Sequence, residues 1–227
     1  MSSAGEIIAL VSGRIKDDSG KIETEEIRSC LTEAVKRYST HRPAVDVEDI
    51  DGDGGHDYDL PEGWVDGFSA IRSIEYPIGD IPATLLDAED YSIYQSPDSL
   101  QLRLISDAPP ATEEFRVSYT IPRTAATILD GDIEAVVNLT ASLCCEILAN
   151  VYAQTSDATI GADIVNYRSK SSEFAARAKR LMALYKEHLG IREDDSTPAA
   201  AGVSSLDMKY PGGMDRLTHP ARQRRLR

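Results

Sequence analysis

The stretch that most constrains this chain is residues 130–155, DGDIEAVVNLTASLCCEILANVYAQT. At helical spacing its polar residues Glu134, Asn138, Ser142, Glu146, Asn150 and Gln154 fall four apart and make one narrow stripe. Nearly every other position is apolar. A surface helix needs an apolar face of only about 100°, whereas this one asks for cover around most of its circumference. The spacing therefore predicts a central helix inside a bundle, an oligomer, or both. The stripe becomes the side left for water, a channel or a polar seam. The interspersed polar side chains argue against a membrane span, which wants roughly 20 largely uninterrupted apolar residues.

Two amphipathic helices come first. Residues 5–16 place Ile7, Ile8, Leu10, Val11 and Ile15 on one side; residues 24–39 bury Ile27, Cys30, Leu31, Ala34, Val35 and Tyr38, with Thr24 as the expected cap. From Ala44 the period changes to two. Val45, Val47 and Ile50 alternate with acids up to a turn at DGDGG, which suggests a hairpin with its tip at residues 51–55. Gly52, Gly54 and Gly55 are expected to supply positive φ there. Further strands are expected in Phe68–Tyr76, in a hairpin of Tyr91–Gln95 with Leu100–Ile105, and in FRVSYTI at 115–121. A last helix spans 163–188, ended by Gly190. One side of it carries Arg168, Lys170, Arg177, Lys179, Arg180 and Lys186.

The fold class that follows is α+β: a helical bundle of two N-terminal and two long C-terminal helices with an inserted antiparallel β region. Its segments are 1–43 and 123–190 for the bundle, 44–122 for an acidic β insertion, and 191–227 for an extended basic tail, which lacks periodicity and is expected to order on a partner. The charge of −14 is unevenly spread. From Ala44 to Glu114 there are 18 acidic residues against Arg72 and Arg103, a net of −16; Met208–Arg227 holds six basic residues against Asp215, a net of +5. Such an acidic body would repel a phosphate backbone.

Chemical signatures are sparse. DIDGDG at 49–54 matches the opening of a calcium-binding loop, but the twelfth position is Leu60 where a bidentate glutamate is needed, and its flanks read as strands. The histidines His41, His56, His188 and His219 have no ligand spacing. Cys30, Cys144 and Cys145 read as small buried apolar residues. No catalytic, metal or cofactor site is expected. No amino-terminal signal pattern is apparent, so cytoplasmic synthesis without export is expected.

The phrases EIRSCLTEAVKRYSTHRP, DIDGDGGHDYDLPEGW, GFSAIRSIEYPIGDIP, FRVSYTIP and IGADIVNYRSKSSEFAARAKRLMALYKEHLG together resemble the head–tail connector (adaptor) proteins of the neck of tailed bacteriophages. The likeness covers most of residues 5–190. It implies a virion protein, assembled in the host cytoplasm, that forms a homo-oligomeric ring, commonly of twelve subunits, below the portal protein. A carboxy-terminal extension reaches the portal, the next neck or tail protein docks on the ring, and viral DNA passes through the channel without specific binding. The β insertion is large for the smallest members. On this reading the portal-binding tail uses Leu206, Met208, Tyr210, Arg216, Leu217, Arg222, Arg224, Arg225 and Arg227. Subunit packing uses Val136, Leu139, Leu143, Ile147, Val151, Tyr167, Phe174 and Leu181. The rival readings are a tail-side completion protein and a soluble ligand- or calcium-binding module.

Overall fold

A computed structural model of the chain describes residues 4–17, 20–154, 167–192, 209–210 and 214–215. Helices α1 (Ala4–Ile15), α2 (Thr24–His41), α3 (Ile133–Gln154) and α4 (Tyr167–Leu189) form the bundle, and an antiparallel β region lies in sequence between α2 and α3. The class is α+β.

Helix α3 is the axis of the bundle. Of its 22 residues 14 are buried, because α1, α2 and α4 all pack on it. The cover that its apolar circumference demands thus comes from within one chain. The polar stripe does not stay in water as a whole. Glu134, Glu146, Asn150 and Gln154 are exposed, but Asn138 and Ser142 are buried. Each is satisfied: Arg14 of α1 donates to the Asn138 Oδ1, and the Ser142 hydroxyl donates to the Ala178 carbonyl of α4 at 2.9 Å. A buried polar group without such a partner costs about 1–3 kcal/mol, so these two positions tie α3 to a particular rotation against its neighbours.

The outer helices follow from spacing and end chemistry. In α1 the buried residues are Ile7, Val11 and Ile15, four apart; Leu10 lies off that line and is 54% exposed, not on the covered side. The start of α2 is one residue earlier than Thr24 suggests, since Glu23 is the cap and its N–H donates to the Glu26 carboxylate at 2.8 Å. Arg177 of α4 donates to the carbonyls of Arg14 and Ile15, supplying cation and donors to the unsatisfied end of α1. Gly190, at φ 68°, ends α4 with paired bonds from its own N–H to the Glu187 carbonyl and from Ile191 to the Lys186 carbonyl.

The β region comprises β1 (Ala44–Asp51), β2 (Asp57–Asp59), β3 (Ile71–Glu75), β4 (Tyr91–Gln95), β5 (Leu100–Leu104) and β6 (Glu114–Ile121). They form two three-stranded sheets, ordered β1-β6-β3 and β2-β5-β4. The second hairpin expected from sequence is present as β4–β5, but the first is not. β1 pairs with β6, and β2 pairs with β5 in the other sheet, so the DGDGG turn crosses between sheets. Gly54 alone of its glycines has positive φ; Gly52 is required for another reason, since a Cβ there would sit 2.5 Å from the Pro110 carbonyl oxygen.

Register corrects the face of β1. Ile50, Glu48 and Asp46 lie opposite Phe115, Val117 and Tyr119, which point into the β core, so Val45 and Val47 point outward and are 45% and 52% exposed. A period of two fixes alternation but not which set is buried. Both sheets feed one small core of Tyr58, Ile74, Leu102, Leu104, Phe115, Val117 and Tyr119, joined across the gap by an edge-to-face contact of Tyr58 and Phe115 at 4.7 Å. At the far end of the described chain, β7 (Lys209–Tyr210) pairs with β8 (Met214–Asp215).

Candidate functional site

The ends of α2 and α4 meet the start of α3 at a polar clasp. Asp132, in the 3-10 turn before α3, is 3% exposed. It accepts from the Tyr38 hydroxyl at 2.7 Å, from Arg42 at 2.9 and 3.1 Å, and pairs with His188 Nε2 at 3.0 Å. The ends of α2 and α4 are thereby fastened to the start of α3. Burial opposes ionisation of Asp132, but bonds from Tyr38 and His188 and the charge of Arg42 outweigh it and hold the carboxyl below its ordinary value. The reciprocal effect, added to burial, pushes the Tyr38 phenol up to about 12. Beside it, Arg123 follows β6 and spans both chain crossings between bundle and β region. Its guanidinium donates to the carbonyls of Arg42 at 2.7 Å, Pro43 at 3.3 Å and Thr127 at 2.6 Å, and its backbone N–H to Ser39 Oγ at 2.9 Å.

Three other surfaces stand out. One is an acidic hollow of about 570 Å³ between β1 and β2, lined by Glu48, Asp49, Asp51, Asp53, Asp57 and Asp59. Asp49 and Asp57 are already held by Arg116 and Arg103 through paired bonds of 2.5–2.8 Å, which lower both carboxyls. Asp53 accepts the Gly55 N–H at 2.7 Å. Among the described residues no group of three or more His, Cys, Asp or Glu side chains is placed to hold a metal ion. A second surface is a groove of about 360 Å³ between α2 and α4. The third is the β3–β4 connection, residues 76–90, where Ile81 is 99% exposed.

Cys30, Cys144 and Cys145 are free and buried. Burial pushes the Cys145 thiol up to about 11, and a hydrogen bond to Cys30 together with burial raises Cys144, so neither is a thiolate nucleophile at neutral pH.

Of the residues expected to pack subunits together, Val136, Leu139, Leu143 and Leu181 are buried by the chain's own helices, while Ile147, Val151 and Phe174 remain partly exposed. Phe174 stacks on Tyr152 at 5.4 Å. Tyr167 opens α4, with its side chain outside the described set. Of the expected tail anchors, Tyr210 is described only as part of β7; Leu206, Met208, Arg216, Leu217, Arg222, Arg224, Arg225 and Arg227 lie outside the described residues. The clasp is not visible in the sequence. Asp132 meets Tyr38 across 94 positions, and only an acid in the turn before an apolar helix hinted at it.

No protein-family model matches the chain, and no curated protein matches it. Among solved structures it is similar to a chain in the neck of a native gene transfer agent particle computed with C12 symmetry, at 12% identity over 76% of this chain and 92% of that one, with a TM-score of 0.24. A chain in the neck of the empty particle computed with C6 symmetry is 11% identical over 77% and 92%, with a TM-score of 0.27. A chain of the native virion of such a particle is 12% identical over 77% and 92%, again at 0.27. Scores of this size fall short of a shared fold, so no property of those particles is carried to this chain.

Proposed function

We propose that this chain is a non-enzymatic structural protein of a phage-type neck: an adaptor that assembles as a ring, docks on the portal and joins head to tail. The observation that carries the reading is charge layout on a self-sufficient scaffold. The bundle closes its own core, the β region holds a net −16 between Ala44 and Glu114, and the segment from Met208 to Arg227 holds a net +5. An acidic wall repels a passing polyanion and does not grip it, which suits a conduit for DNA. A basic segment with spaced apolar residues suits docking by ordering on a partner.

In this reading Arg216, Arg222, Arg224, Arg225 and Arg227 supply the electrostatic anchors of the tail, and Leu206, Met208, Tyr210 and Leu217 the apolar ones. Deleting residues 206–227 is expected to abolish co-sedimentation with the portal while leaving the helical circular dichroism unchanged. Undiminished portal binding by the truncated protein would refute the docking role, and binding to tail tube in its place would favour a tail-side completion protein.

A further inference from the structure

Two surfaces, one in the β region and one on the bundle, are unexplained by the chain's own packing, and they are complementary. The β3–β4 connection is an acidic knob. Residues 76–90 contain Asp80, Asp87, Glu89 and Asp90 and no basic residue. Ile81 is 99% exposed and Leu85 56%. The knob is built, not loose: the Tyr76 N–H donates to the Thr84 carbonyl at 3.0 Å, Leu86 to the Ile74 carbonyl at 2.8 Å, and the Thr84 hydroxyl to Asp80 at 2.9 Å. A fixed loop that holds an isoleucine wholly in water leaves apolar surface for a partner to bury.

The groove between α2 and α4 has the opposite character. Leu139, Met182 and Tyr185 form its floor and Lys186 one bank, with Arg37 and His41 on the other. Arg37 shares its charge with Glu33 at 2.6 Å. Lys179, seven residues before Lys186, lies on the same side of α4 and is exposed. Helix α4 as a whole carries six basic residues against Glu173 and Glu187.

We propose that the Ile81 knob of one copy seats in the α2–α4 groove of the next, with its acids facing Lys179 and Lys186. The inference rests on the ring reading above and names its seam. A knob and a groove on different faces make a heterologous, head-to-tail contact, the kind that closes into a ring when the rotation allows.

The direct test mixes Ile81→Cys protein with Thr40→Cys protein, Thr40 being exposed on the groove's edge, under mild oxidation. The native cysteines are buried and should not compete. A disulfide-linked dimer is expected in the mixture and in neither protein alone. In sedimentation velocity, Ile81→Asp is expected to weaken self-association about tenfold or more. Lys186→Glu should weaken it by up to about fivefold, with Asp87→Lys restoring part of that loss. Circular dichroism and melting confirm the fold of each variant, since the altered positions lie at the surface. Wild-type rings with no crosslink, or with Ile81→Asp assembling normally, overturn the seam and leave the ring reading standing. A wild-type protein that sediments as a monomer, alone and with the portal, overturns both.

Discussion

The bundle and the β region achieve order by different means. In the bundle one cluster runs through all four helices, from Ile7 to Ile191, and the buried Asn138 and Ser142 are paired across helices. In the β region seven side chains make the buried core, and much of the remaining cohesion lies on the outer faces. There Arg116 of the central strand holds Asp49 of β1 at 2.7 Å and stands 3.7 Å from Glu75 of β3. Arg103 holds Asp57 and stacks 3.6 Å over the Tyr94 ring. Exposed ion pairs add little and are screened by salt. The bundle is therefore a scaffold held mainly by apolar burial, with the Asp132 clasp as its acid-sensitive point, while the β region is a display surface whose outer-face contribution answers to salt.

The sharpest way to break this contrast is to empty each core in turn. Phe115→Ala is expected to cost about 3–5 kcal/mol and Leu148→Ala about 2–5 kcal/mol. The first should lose near-ultraviolet signal from the β-region aromatics before the helical signal, and the second should lose both together in one thermal transition. Coincident melting in both variants would show a single cooperative unit instead.

Next comes the clasp. Asp132→Ala leaves Arg42 and His188 without their shared carboxylate and is expected to cost about 3 kcal/mol by urea denaturation. Because the folded-state carboxyl is held below its ordinary value, its contribution is fully present above about pH 4 and is lost as pH falls through the depressed folded value. Asp132→Asn should flatten the stability–pH curve in that acid window, and a curve parallel to wild type would exclude Asp132 as its source.

Smaller effects refine the comparison. Ser142→Ala, which removes the hydroxyl's bond to the Ala178 carbonyl, is expected to cost about 1 kcal/mol, equally in low and high salt. Arg116→Ala should shift the urea midpoint least, and the shift should vanish in 1 M salt, where the screening length is about 3 Å. A salt-independent loss would mean that the Arg116 stem, not its charge, is what matters.

The strands and helices were largely legible in the sequence because their periodicities are local. FRVSYTI buries Phe115, Val117 and Tyr119 as alternation requires, and the apolar circumference of α3 foretold its central place. What stayed hidden depends on distant partners. Nothing in AVDVEDID says that β1 pairs with a strand some 70 residues on and so turns Val45 and Val47 outward. Asn138 and Ser142 read as solvent-facing until Arg14 and Ala178 arrive to receive them. The groove left one trace, Lys179 and Lys186 a heptad apart around Met182, and that trace reads equally as an ordinary solvated face.

The Arg123 bonds have a mechanical consequence. β1 leaves the bundle and β6 returns to it side by side, since Ala44 pairs with Ile121. A pull on the β region would load these two strands in parallel, along their length, provided their roots cannot spread. Arg123 joins those roots by gripping the carbonyls of Arg42 and Pro43 from the chain segment that follows β6. It acts as the stop at the end of a zipper, so tension on the display surface is carried as stretch and not as tooth-by-tooth opening.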